Sequence, residues 1–181
     1  TGAEIEIPNA KLWSEDTPEL YTAKVTAKNG DTVVDEVCET FGIRSLSWSK
    51  EGLFVNGKRV LLRGGCVHHD NGILGAACEP DAEYRKVRIM KENGYNAIRS
   101  AHNPCSKYML EACDRYGVYM VNEAYDMWFV HKTPHDNADY FDTTWKTTVK
   151  NMVEASRNHP SVIMYSLVNE PSETSSKRGL E

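Results

Sequence analysis

No apolar run in the sequence approaches the roughly 20 residues that a membrane-spanning helix requires, so no membrane partner is expected. Basic residues form no cluster: 21 Lys and Arg are scattered among 26 Asp and Glu, for a net charge of -5. Nucleic acid is therefore not expected as a partner either. The opening TGAEIEIPNA has neither the basic start nor the apolar core of a secretory signal, and it lacks an initiator Met. It reads as a mature product or an excised piece, which leaves the compartment open between cytoplasm and periplasm. The five cysteines, Cys38, Cys66, Cys78, Cys105 and Cys113, are odd in number and contain no C-x-x-C pair. They are expected as free, mostly buried thiols, because a disulfide framework belongs to much smaller secreted domains. A chain of 181 residues that is 40% hydrophobic and 26% charged is then an ordinary globular one, with room for one large domain or two small ones.

Up to about Ser45 the pattern is β. AEIEIPNAKLW alternates around Ile5 and Ile7, LYTAKVTAK around Val25, and DTVVDEVCETFGI around Val33, Val34 and Val37. Asn29-Gly30-Asp31 between the last two is a hairpin signal. A complete immunoglobulin-like sandwich needs about seven strands, and three or four fit here. GLFVNGKRVLLRGG then reads as a hairpin turning at Asn56-Gly57 and leading into a buried strand from Val60 to Val67. Beyond it, strands and helices alternate. A helix over Asp81–Asn93 carries Tyr84, Val87 and Met90 on one stripe, with Gly94 to end it. A second, N-capped by Ser106, repeats Met109, Ala112, Cys113 and Tyr116 and stops at Gly117. A third carries Trp145, Val149, Met152 and Val153 and ends at Asn158, His159 and Pro160. The strands YNAIRSAH, VYMVNEAYD and SVIMYSLVNE complete a βαβαβαβ order.

That order implies an α/β fold with a parallel, right-handed sheet and outer helices. An open doubly wound sheet and a (β/α)8 barrel both satisfy it. Each of the four strands ends in polar residues: His68-His69-Asp70, Arg99 with His102-Asn103, Glu123 with Asp126, and Asn169-Glu170. In a barrel all these ends face one site, and no glycine-rich phosphate loop of a dinucleotide fold follows the first strand. The barrel is the better fit. A whole one takes about 250 residues, so the expectation is its N-terminal half over residues 46–181, preceded by a partial immunoglobulin-like β-sandwich over residues 1–45.

Among these residues Glu170 is the strongest chemical candidate. A carboxylate partly desolvated at the end of a buried strand suits a general acid; the competing reading is a turn cap, or a partner of Lys177 or Arg178. Asn169 beside it offers a neutral donor for a sugar hydroxyl, and Pro171 stiffens the chain after it. Arg99 and His102 read either as site donors or as surface and turn residues, and Glu123 as a second site carboxylate or as the partner of Arg99. Tyr125, Trp128 and Phe129 offer aromatic faces to sugar rings, or simply core packing under a long loop. A metal held by His68, His69 and His102 is disfavoured, because adjacent strand residues point to opposite faces.

Four stretches resemble glycoside hydrolase family 2, the family of β-galactosidases, β-glucuronidases and β-mannosidases. LWSEDTPELYTAKV with ETFGIRSL is similar to the end of that family's immunoglobulin-like domain and its junction to the barrel. FVNGKRVLLRGGCVHHDNGILGAA is similar to the first barrel strand and its loop. NGYNAIRSAHNPCSKYMLEACDRYGVYMVNEAYDMW resembles the family's first sequence signature, and HPSVIMYSLVNEPSE its fourth strand with the acid/base motif. The resemblance implies a retaining mechanism. Glu170 falls on the general acid/base, Asn169 on the residue that bonds the sugar 2-hydroxyl, and His68, Arg99 and His102 on positions that shape the sugar pocket. Glu123 falls on a strand-end position that supports the site, and Trp128 joins the substrate-binding set. EAYDMW leans toward β-galactosidases and the NEP of Asn169-Glu170-Pro171 toward β-glucuronidases. No cofactor is implied, and the Mg²⁺ ligands of one galactosidase subgroup are not matched where Met127 and Trp128 stand.

The family's nucleophile, a Glu on the seventh barrel strand, has no counterpart after the fourth strand here. The expectation is a chain that is inactive alone and covers its open half-barrel edges by forming a homo-oligomer. A non-catalytic sugar-binding module and a zinc-dependent barrel hydrolase are the alternatives.

Overall fold

The computed structural model describes residues 4–180. Over residues 4–20 there is no strand. The alternation around Ile5 and Ile7 is not used, and Ile5 is 81% exposed: alternation makes a strand only where a partner strand is present to pair with it. This segment is anchored instead by Trp13, which is fully buried. Its indole Nε1 donates to the Asp114 carbonyl at 2.8 Å, and its ring meets Tyr119 edge-on at 5.7 Å. The hairpin follows as expected. Strands β1 (Tyr21–Asn29) and β2 (Thr32–Phe41) run antiparallel. Asn29 lies opposite Thr32, which leaves Gly30-Asp31 as a two-residue loop with Gly30 at φ +59°. A register shift at Ala27/Lys28 leaves Val34 without an opposite number, one extra residue of the kind that bends a strand.

Strands β3 (Leu46–Ser49), β4 (Gly52–Val55) and β5 (Lys58–Val60) form a small antiparallel sheet. Its second turn is Asn56-Gly57, with φ of +51° and +76°, the pair of left-handed residues that a tight hairpin demands. Leu53, Val55 and Val60 are buried against Trp13, Ala97, Tyr119 and Ile163. Those last three stand at or near the starts of the parallel strands, so the small sheet plugs the N-terminal end of the barrel strands and leaves the other end free.

The single buried strand expected over Val60–Val67 is two pieces. After β5 the chain leaves the small sheet, and β6 (Gly64–His68) starts the parallel one. β6 is also largely exposed: among the described residues β7 is its one strand neighbour and no strand covers its other edge. Strands β6, β7 (Ala97–Ala101), β8 (Tyr119–Glu123) and β9 (Val162–Ser166) lie side by side in sequence order and all parallel. A doubly wound sheet reverses its strand order; this one does not, as a barrel requires. Helices α1 (Pro80–Glu92), α2 (Lys107–Tyr116) and α3 (Phe141–Ser156) are the crossovers, and a short α4 (Lys177–Leu180) follows β9. Ser106 caps α2 by accepting from the Met109 N–H at 3.1 Å, and Gly117 ends it at φ +66°. Val87, Met109, Leu110, Ala112, Cys113 and Val118 pack onto Ile98, Met120 and Val162 as the main core. The cysteines are free as expected, but Cys38 and Cys66 are exposed. Burial pushes the Cys105 thiol up to about 12 and raises that of Cys113.

Candidate active site

The C-terminal ends of β7, β8 and β9 converge on one carboxylate. Glu123, the last residue of β8, is 0% exposed, and an unpaired charge there would be costly. It is met from three sides. Arg99, from the centre of β7, donates to Oε2 through Nε at 2.8 Å and again through Nη2. Ser166, the last residue of β9, donates to the same oxygen at 2.7 Å. The Nδ1 of His102 lies 2.7 Å from Oε1, and the Ala101–His102 peptide bond is cis. The Ser100 hydroxyl accepts from the Glu123 backbone N–H at 2.8 Å. Burial works against the charge on Arg99, but the hydrogen bonds and charge of Glu123 outweigh it and raise the guanidinium above its ordinary value.

Arg99 carries the network onward. Its Nη2 donates to Asn169 Oδ1 at 2.9 Å, and Asn169 Nδ2 donates to Asp126 Oδ1 at 2.9 Å. The Asn169 backbone N–H is held by the Tyr125 carbonyl, 2.9 Å away. Burial pushes Asp126 up, but the bonds from Asn169 and Lys132 outweigh it and hold the carboxyl below its usual range. The Lys132 ammonium closes the network. It donates to Asp126 Oδ1 at 3.0 Å and to the carbonyls of Asp126 and Asn169, each at 2.6 Å.

Glu170 follows Asn169 at φ +48°, a left-handed conformation that is uncommon away from glycine and worth weighing as a functional mark. Two expectations for it need correction. β9 ends at Ser166, so Asn169 and Glu170 lie on the loop beyond the strand. Glu170 is also exposed, so a buried strand end does not desolvate it. The competing pairing with Arg178 is not made either: that guanidinium bonds the Asp142 carboxylate and lies over the Phe129 ring at 4.0 Å.

Arg99, His102, Glu123 and Asn169 thus stand in one network, and the His68 ring meets His102 edge-on at 5.1 Å. His69 diverges, with Nδ1 placed 3.7 Å from Cys78 Sγ, so the three histidines of the metal reading do not meet. Trp128 stands apart from the polar network. It packs with Tyr125, Phe129, Phe141, Trp145 and Leu167 around a cavity of about 560 Å³, 6.0 Å from Phe141 between ring centres. Lys132 and Ser166 were missed by sequence reasoning. A polar residue closing the apolar run of β9 was a usable signal for Ser166; a lysine in a long loop offered none.

A family model described as "Glycosyl hydrolases family 2, TIM barrel domain" matches residues 47–180, and one described as "Glycosyl hydrolases family 2" matches residues 1–44. A β-galactosidase of Bacteroides ovatus is 39% identical over 168 residues, 92% of this chain and 20% of its own length. A putative β-glucuronidase of Formosa agariphila is 37% identical over 169 residues, 92% of this chain and 16% of its own. The crystal structure of a glycosyl hydrolase family 2 member from Bacteroides cellulosilyticus superposes with a TM-score of 0.89 at 44% identity, covering 94% of this chain and 22% of that one. The β-glucuronidase of Parabacteroides merdae gives 0.77 at 32%, covering 91% and 20%. The chain spans about a fifth of the length of the curated relatives it matches.

Proposed function

The chain belongs to glycosyl hydrolase family 2, and from that premise we propose that it carries the acid/base side of a retaining glycosidase site acting on terminal β-galactosides. Glu170 is the acid that protonates the glycosidic oxygen and then the base that activates water. Asn169 and His102 bind sugar hydroxyls, with His68 and Arg99 shaping the pocket, and Glu123 holds Arg99 and His102 in place. Trp128 offers its aromatic face in the separate cavity beyond the polar network. The observation that carries this reading is the network on buried Glu123. It ties the ends of three strands together and, through Arg99, fixes the residue directly before Glu170. In the same proposal residues 1–45 form part of an immunoglobulin-like sandwich and 46–181 the barrel half.

Retaining chemistry needs a second carboxyl group about 5–5.5 Å from the first. Glu123 is a poor nucleophile, since four donors occupy its two oxygens. Glu173 is 4% exposed and accepts from the Val130 N–H at 3.0 Å. We therefore infer that the 181-residue chain does not turn over substrate by itself. A second reading, cleavage of β-glucuronides, draws support from the β-glucuronidases among its relatives. A nitrophenyl β-galactoside and β-glucuronide panel tests both, run on this chain and on a polypeptide extended to its relatives' length. The expected result is galactoside turnover by the longer protein alone, with a steady-state rate that Glu170→Gln lowers by up to about 10²- to 10⁴-fold. Turnover by the short chain, or a rate that Glu170→Gln leaves undiminished, overturns the assignment.

A further inference from the structure

Glu170 is exposed, and among the described residues no partner holds its carboxylate. Its aim therefore depends on the peptide it departs from. That peptide is held from one side by Lys132, whose Nζ donates to the Asn169 carbonyl at 2.6 Å while also bonding the Asp126 carbonyl and carboxylate. Asp126 in turn accepts from the Asn169 side-chain amide, so the ammonium and the carboxylate grip Asn169 at its backbone and its side chain together. Lys132 is itself presented by a tight turn. Asp136 Oδ2 accepts from the backbone N–H groups of Lys132 and Thr133 at 2.7 and 2.9 Å, and its Oδ1 accepts from that of Ala138 at 3.0 Å. His131 lies against Asp136 and Asp139 at 2.8 and 3.1 Å. The loop between β8 and α3 thus has an internal frame, and the side chain it holds out ends on the acid/base peptide.

We propose that Lys132 is a positioning residue for the acid/base carboxylate: its ammonium fixes the Asn169–Glu170 peptide plane from which the Glu170 side chain projects. This rests on the role of Glu170 given above, and the experiment separates the two.

The test compares leaving groups in the full-length enzyme, using methyl and dinitrophenyl glycosides of whichever sugar the panel selects. A methoxide needs a proton as it leaves; a dinitrophenolate does not. The value of kcat/KM reports the step in which the leaving group departs. Lys132→Met keeps the alkyl stem and removes the donors. It is expected to lower kcat/KM on the methyl glycoside about 10- to 100-fold, a fraction of what general acid catalysis contributes, and to change the dinitrophenyl value less than about threefold. Lys132→Arg, which restores donors and charge, is expected to recover most of the loss. An equal loss on both glycosides, or none on either, overturns the proposal. Should Lys132→Met fail to fold, Lys132→Gln is read in the same way. Glu170→Gln runs in parallel. If it shows the leaving-group dependence and Lys132→Met does not, the clamp alone is wrong. If Glu170→Gln lacks it, the acid/base assignment falls first and takes the clamp with it.

Discussion

The hairpin β1–β2 and the strand pair β7–β8 invert the relation between strand length and burial. The hairpin strands have 9 and 10 residues, yet Val25, Val33, Val34 and Val37 are each more than half exposed. β7 and β8 have 5 residues each, and all but their central residues are buried. The difference lies in how each pair is connected. A parallel pair needs a crossover, and the crossover helix brings its own apolar stripe onto the sheet. A hairpin needs two residues of turn and brings nothing to cover its faces. The hairpin is tied down at its far end: Arg44 donates to the carbonyls of Pro160 and Val162, and Asn158 Nδ2 donates to Glu39 Oε1 at 3.0 Å.

Four substitutions probe this contrast. The largest effect is expected at Trp13, which joins the N-terminal segment to β8. Trp13→Ala should cost about 3–5 kcal/mol, read as a lower urea midpoint. A loss below about 1 kcal/mol would mean that the two regions hardly share a core. Next is Gly117→Ala. The left-handed φ alone costs about 1–2 kcal/mol, and an added Cβ would lie 2.6 Å from the Glu15 carbonyl oxygen. A lower thermal midpoint with unchanged far-ultraviolet circular dichroism is the expected result. The smallest effect is expected in the hairpin, where Val25→Thr and Val34→Thr should each move stability by no more than about 0.5 kcal/mol. A cost comparable to that of Trp13→Ala would show these valines to be covered in solution. Light scattering decides the matter: the homo-oligomer proposed from the open edges should exceed the 20.4 kDa of one chain, and a clean monomer at high concentration removes it.

Much of this fold was legible because its signals are local. Ser106, Gly94 and Gly117 mark helix ends through backbone conformations that depend on a few neighbours, and Asn56-Gly57 marks a turn in the same way. The strand-end polar residues pointed to the barrel for a similarly simple reason: apolar strands seldom end in His, Arg and Glu without use for them. What was misread depends on distant partners. Ile5 and Ile7 alternate like a strand but stand in none of the strands of the described residues, and Val60–Val67 reads as one strand although Leu61–Arg63 passes between two sheets. Glu170 was assigned burial from the run before it, but that run leaves the sheet at Ser166. Lys132 acquires its role from the path of a loop, which no periodicity records.

Glu123 also constrains how this site can change. Arg99, His102 and Ser166 have no common neighbour in sequence, yet each spends its polar group on the same carboxylate. Substitutions at residues that share one partner do not add. Once the carboxylate is lost, a second change among the three has little left to disrupt; while it remains, each one alone leaves a buried charge short of a donor. An altered version of this site is therefore reached by replacing the group together, and single-residue paths out of it run through forms that are less fit than either end.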